Sequence, residues 1–229
     1  ANSGTNIIWP NNGNDNAVLG TGATLAASNN ITLGTPITVA NITFNTGGTG
    51  TSPQYFILGQ TLTLSNSTID VPAAGLISSK LAGSGFTKSG VGTLRLDGNS
   101  PAYAGNIALN AGTLQIGNNG LTGDLGTGTI TLAGDAVFQV RRQSTLTLNN
   151  TITGSTTSAV GFQLNGGAIV TVAKANTYSA AGGTYLQPTG ANTQGILKLG
   201  IADGLPTTTA FSLNLNGTSL QTFDLAGFN

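Results

Sequence analysis

The sequence contains no cysteine, histidine, methionine or glutamate, and its 229 residues carry only seven cations and seven aspartates. Without cysteine there is no disulfide framework and no thiol chemistry. Without histidine and glutamate as well, Ser-His-Asp and Cys-His nucleophilic systems are excluded as usually built, and so are ordinary zinc sites. Charged residues make up 6% of the chain, against roughly 25% in ordinary domains. The net charge is zero, and the cations are scattered from Lys80 to Lys198, with only Arg141 and Arg142 adjacent. Nucleic-acid binding needs several cations clustered on one face, so no nucleic-acid partner is expected. No apolar run approaches the ~18 residues of a spanning helix, so no transmembrane segment is expected. The Gly-x-Gly pieces at Gly20-Thr21-Gly22 and Gly126-Thr127-Gly128 lack a following helical pattern, and no nucleotide or other cofactor is expected.

What the chain has instead is glycine (35 residues), threonine, asparagine and evenly spaced Val, Ile and Leu. That mixture opposes helix and favours many short strands joined by tight turns. The stretch from Gly90 to Gly117 sets the pattern for the rest. Leu94 and Leu96 fall on one face of Thr93-Leu94-Arg95-Leu96, as do Ile107 and Leu109 in Asn106-Ile107-Ala108-Leu109, and Leu114 and Ile116 in Thr113-Leu114-Gln115-Ile116. Period-two alternation over about four residues marks a half-buried strand. Asp97-Gly98 and Ala111-Gly112 supply turns, because glycine accepts positive φ without steric cost. A strand this short cannot bury its apolar face alone and must stack on others like itself.

The same stretch resembles the passenger-associated repeat of bacterial autotransporters and related large surface proteins. The pieces that carry the resemblance are Gly90 to Gly98, Tyr103 with Gly105, and Ala111-Gly112-Thr113-Leu114-Gln115-Ile116-Gly117. A looser second copy runs through Gly166-Gly167-Ala168-Ile169-Val170-Thr171-Val172, Tyr178-Ser179 with Gly182-Gly183, and Gly195-Ile196-Leu197-Lys198-Leu199-Gly200. Tyr103 and Tyr178 are offset by 178 − 103 = 75 positions, and Thr93 and Ala168 by 168 − 93 = 75. Ala104-Gly105-Asn106 stands where the family shows a Gly-Gly pair. The resemblance implies a right-handed single-stranded parallel β-helix on an extracellular or cell-surface bacterial protein, usually without enzymatic activity. The absence of cysteine suits a passenger that crosses a membrane unfolded.

No linker, charge run or composition shift divides residues 1–229, so one β-solenoid domain is expected, with a cap-like segment over about 1–18. Coils of roughly 20–25 residues would give about ten rungs, and a rod about 45–50 Å long at ~4.8 Å per rung. A β-sandwich or β-prism is the alternative; the recurrence at 75 favours stacked coils over either. Asparagines such as Asn41, Asn110, Asn149 and Asn165 are candidates for like-on-like side-chain ladders at the corners.

The ends draw attention. Ile7-Ile8-Trp9 is an apolar island in a polar N-terminal segment, and Trp9, the chain's one tryptophan, reads as a core plug or end cap. Leu220, Phe223, Leu225 and Phe228 keep a strand-like pattern to the far end. An uncapped solenoid end exposes unpaired backbone and apolar lining. The expectation is that the chain continues beyond Asn229 or that this end docks on the Ile7, Ile8, Trp9 island of another copy, through Phe223, Leu225 and Phe228. Such a head-to-tail contact would propagate into a filament. The functional expectation is therefore a non-enzymatic stalk or filament segment whose partner is itself. The alternative is an adhesin module that takes surface glycans on a flat sheet face, although Tyr55, Tyr103, Tyr178 and Tyr185 read as scattered. A distant alternative is a polysaccharide-degrading β-helix enzyme, for which Asp124 and Asp135 beside Arg141-Arg142 form the one cluster worth testing; it would need two carboxylates on one face.

Overall fold

A computed structural model describes residues 9–20, 29–45, 55–190, 193–214 and 218–228. Among these residues there are twenty-one strands and no helix. The first twelve are β1 (Asn16–Leu19), β2 (Asn29–Leu33), β3 (Ile37–Phe44), β4 (Tyr55–Gly59), β5 (Leu62–Asp70), β6 (Ala74–Ile77), β7 (Leu81–Ser89), β8 (Thr93–Leu96), β9 (Asn106–Leu109), β10 (Thr113–Gly120), β11 (Ile130–Leu132) and β12 (Val137–Arg142). They alternate strictly between two sheets. The remaining nine are β13 (Leu146–Leu148), β14 (Ile152–Thr156), β15 (Val160–Leu164), β16 (Ala168–Val172), β17 (Ser179–Ala180), β18 (Thr184–Gln187), β19 (Gln194–Leu199), β20 (Phe211–Leu213) and β21 (Leu220–Asp224), and they visit three.

Every strand pairs with the equivalent strand of the next coil, and all of these pairings are parallel. The result is an eight-stranded sheet (β1-β3-β5-β7-β9-β11-β14-β17), a nine-stranded sheet (β2-β4-β6-β8-β10-β12-β15-β18-β20) and a four-stranded sheet (β13-β16-β19-β21). This is the stacked β-solenoid that short alternating strands require, and it excludes a sandwich of antiparallel layers. The longest sheet has nine strands rather than the ten rungs expected, which spans about 38 Å at ~4.8 Å per step.

The lining follows from the alternation. Leu94, Leu114, Phe138 and Val160 form one inward column and Leu96, Ile116, Val140, Phe162 and Leu186 the next. All nine are buried. Phe138 sits level with Val160, and Val140 with Phe162. Each phenylalanine therefore stacks along the axis on a valine of the next coil, so large and small side chains alternate in the narrow interior. Coil length is not constant: Thr93 pairs with Thr113, 20 residues on, and Thr113 with Val137, 24 residues on.

That inequality explains why the recurrence of 75 is a recurrence of sequence and not of position. Thr93 lies on β8 in the nine-stranded sheet and Ala168 on β16 in the four-stranded sheet. Tyr103 precedes β9 by three residues, while Tyr178 stands one residue before the Ser155–Ser179 pair, level with the interior of β14. Both tyrosines are buried beside the eight-stranded sheet, but they are not equivalent along its edge.

The third sheet has its counterpart in the bends of earlier strands. Along β5 the alternation slips at Ser65 and Asn66, both exposed, and Asn66 adopts φ 58°. The ladder between β5 and β7 shifts register there, the mark of a bulge that turns the strand. Later coils break at the same place into two strands. At the corners asparagine acts mainly as a clamp on backbone. Asn41 Oδ1 accepts from Thr68 N at 2.8 Å, and Asn176 joins three coils by accepting from Ile152 N (2.6 Å) and donating to Gly204 O (2.6 Å). A like-on-like asparagine pair of the expected kind joins Asn41 Nδ2 to Asn16 Oδ1 at 2.8 Å.

Candidate functional site

Of the residues expected at an end contact, Trp9, Phe223, Leu225 and Phe228 are described. Ile7 and Ile8 lie outside the described residues. Trp9 is half-buried and engaged within its own chain: its Nε1 donates to Thr38 O at 3.0 Å. With Leu19, Ile31, Leu33 and Ile42 it lines an apolar cavity of about 540 Å³. At the other end the Phe223 ring packs on Phe211, centroids 4.5 Å apart at 33°. Leu225 is 48% exposed, as are its neighbours on the last coil Leu213 (45%) and Leu220 (61%). Phe228 is half-buried and its N–H donates to Leu225 O at 2.9 Å.

Asp124 and Asp135 do not form a pair. They stand beyond opposite ends of the three-residue β11. Asp124 Oδ1 accepts from Gly126 N at 3.1 Å in a turn, and Asp135 is exposed in the next turn. Their nearest cations differ: Arg142 feels Asp124, and Lys88 feels Asp135. Among the described residues no three His, Cys, Asp or Glu side chains cluster as metal ligands would.

Arg142 and Lys88 are buried cations that work for the fold. Both follow from strand parity, which turns Lys88 inward with Phe86 and Arg142 inward with Val140. Lys88 Nζ donates to the carbonyls of Gly90 (2.7 Å), Ala111 (2.9 Å) and Ser89 (3.2 Å), tying two coils together. Burial lowers its pKa to about 8, against the pull of Asp70 and Asp135. Arg142 Nη1 donates to Gly123 O, and Nη2 to Ser144 Oγ at 2.8 Å. The guanidinium thereby bridges the turn ahead of β11 to the one that opens β13, the start of the third sheet. Burial holds it below its usual range.

The outer face of the nine-stranded sheet is chemically unlike the rest of the surface. Two registered columns run along it. One holds Arg95, Gln115, Gln139, Gly161 and Tyr185; the other holds Arg141, Gln163 and Gln187, with Asp97 on the strand end beside Arg95. Tyr185 lies over Gly161, where a Cβ would meet the ring at 2.2 Å, and its hydroxyl accepts from Gln139 Nε2 at 2.9 Å. Arg95 Nε donates to Asp97 Oδ2 at 3.0 Å, while the other oxygen, Oδ1, is buried without a partner. Arg141 has no ion pair among the described residues, and its Nε is likewise buried and unpartnered. Burial lowers the Arg141 pKa, with Tyr185 raising it and Arg95 lowering it further. Reading tyrosines alone misses this face. The signal that marks it is the glutamine spacing, since Gln115, Gln139, Gln163 and Gln187 follow at intervals of 139 − 115 = 163 − 139 = 187 − 163 = 24.

Comparison with known proteins agrees with this architecture. The family model described as the passenger-associated-transport-repeat matches residues 86–116. Over 125 residues, 53% of this chain and 3% of the relative, the sequence is 36% identical to the adhesin BmaC autotransporter of Brucella suis biovar 1 (strain 1330). The chain thus spans a small part of the length of that relative. No solved structure matches it. Residues 86–116 run from the second half of β7, through β8 and β9, into β10, so the strands that set the sequence pattern are those that match: a stretch similar to the passenger-associated-transport-repeat is wound into the middle of a β-solenoid.

Proposed function

We propose that this chain is a non-enzymatic, surface-exposed segment of a secreted passenger protein, a rigid spacer that holds its neighbours away from a bacterial cell. The observation that carries the reading is the unbroken parallel ladder of nine strands built around a passenger-associated repeat. Axial hydrogen bonds resist stretching and hide backbone from proteases, and the relative that shares 36% identity is named as an autotransporter adhesin. Protease shaving and antibody labelling of intact cells carrying the full-length protein test it. Labelling of unbroken cells, with a trypsin-resistant core over residues 55–190, is the expected result; signal only after lysis overturns it.

A second reading concerns assembly. Leu213, Leu220 and Leu225 are exposed together on the last coil beside the Phe211–Phe223 pair. Supported by this, Phe223, Leu225 and Phe228 are proposed to dock on the N-terminal end of another copy, at Trp9, giving head-to-tail threads. Sedimentation of the purified chain over a range of concentrations checks it. Growth with concentration that Leu225→Lys abolishes supports stacking, and isolated short rods at all concentrations sink it.

A further inference from the structure

We propose that the outer face of the nine-stranded sheet, from β8 to β18, is a binding platform for an acidic polysaccharide lying along the solenoid axis. The inference goes beyond the spacer reading, which stands if it fails.

Three observations converge on the same strip. The first is composition. Two of the three arginines in the chain, four of its nine glutamines and one of its four tyrosines lie in two adjacent columns. By contrast, outward positions on the eight-stranded sheet such as Thr43, Thr68, Thr131 and Thr153 carry threonine. Amides and an aromatic ring are the groups that recognise sugar hydroxyls and ring faces, since tyrosine offers an apolar body with a polar tip.

The second is preorganisation. Gln115 is buried and Arg95, Gln139, Arg141, Gln163, Tyr185 and Gln187 are half-buried rather than extended into solvent. Gln139 is fixed by Tyr185, and Gln115 Nε2 donates to Gly117 O at 2.6 Å. The Tyr185 ring rests on Gly161, whose lack of a side chain makes room for it. A ligand meeting this face loses little rotamer freedom on the protein side. Successive coils are ~4.8 Å apart, close to the length of one pyranose unit, so a polysaccharide on the axis presents a similar unit to each rung.

The third is charge. Two arginines face one carboxylate here, and that carboxylate is already bonded to Arg95. Arg141 makes no ion pair among the described residues and its side chain is only half-buried, so its charge stands open to a ligand, and the like charge of Arg95 disfavours it. An anionic oxygen of a uronate or similar acidic sugar is the complement: it would satisfy the guanidinium and relieve the repulsion, and bonds of that kind are stronger than neutral ones. A neutral glycan would leave Arg141 unanswered.

Binding of oligogalacturonate to the purified chain by isothermal titration calorimetry at low salt tests the proposal. A neutral glucan of equal length serves as comparator, and melting temperatures are recorded for each variant. The expected result is that oligogalacturonate binds and the neutral glucan binds at least tenfold more weakly. Arg141→Gln and Tyr185→Ala, separately, should weaken uronate binding about tenfold at unchanged melting temperature. Lys198→Gln, on the four-stranded sheet, should leave it unchanged. Absence of uronate binding, equal binding of the neutral glucan, or uronate binding that neither Arg141→Gln nor Tyr185→Ala weakens overturns the proposal. If the face takes only a protein partner, calorimetry gives the first of these results. A surface-shaving experiment that still labels intact cells would then leave the spacer reading standing while removing this one.

Discussion

The middle of the solenoid and its last coil are built from the same kind of strand yet differ in every measure of cover. In β8, β10 and β12 the inward residues Leu94, Leu114 and Phe138 are all 0% exposed. On the last coil the inward-facing Leu213, level with buried Leu186, is 45% exposed. Phe211-Ser212-Leu213 has the same apolar-polar-apolar pattern as Leu114-Gln115-Ile116, with which it is in register along the sheet. The difference is a neighbour on both sides against a neighbour on one. Burial in this fold is a property of stacking, and free energy is therefore concentrated where coils are covered twice.

The comparison can be broken at its strong end. Phe138→Ala removes a ring held between two coils and should cost about 3–5 kcal/mol, read as a lowered midpoint in a urea titration. A smaller loss would mean that the interior is loosely packed and able to collapse.

A second measurement addresses charge within the covered region. In the folded chain burial lowers the Lys88 pKa to about 8 from its ordinary value of 10.5. Between these values the unfolded chain holds the proton and the folded chain has lost it, so stability rises with pH from about 8 upward. Tyr103 and Tyr178 act in the opposite sense. Burial raises both, Tyr178 to about 12, so their contribution is complete below 10 and declines as pH rises further. The expected profile climbs by about 2–3 kcal/mol between pH 8 and 10 and then falls. In Lys88→Met the climb should vanish while the alkaline fall remains.

Next in size is Asn176→Ala, which leaves Ile152 N and Gly204 O of two different coils without their side-chain partner. A loss of about 1–3 kcal/mol is expected, with faster amide exchange at Ile152 as the local readout. The smallest effect sharpens the contrast from the weak side. Leu213→Ala on the open coil should cost no more than about 1 kcal/mol, against the far larger cost at Phe138.

The strands were legible in the sequence because period-two alternation is local: Thr93–Leu96 and Asn106–Leu109 appear in the structure with those bounds. The register between coils was not, since 20-residue and 24-residue steps leave no trace in any one strand. For the same reason Thr93 and Ala168 were matched by motif and lie on different sheets. Lys88 and Arg142 read as surface cations when taken singly, although each shares parity with buried neighbours, Phe86 in one case and Val140 in the other. The outer platform escaped notice because its members come from five strands spread over Arg95 to Gln187, and only the 24-residue glutamine interval joins them along the chain.

Unequal windings that nonetheless keep one lining aligned have a practical meaning. Extra residues can be looped out where the path changes direction, as between β19 and β20, without shifting what faces inward. Such a rod can be lengthened, decorated or trimmed at its edges over many generations while its bore stays the same, and grafting a foreign epitope into one of those edges should disturb neither secretion nor stiffness.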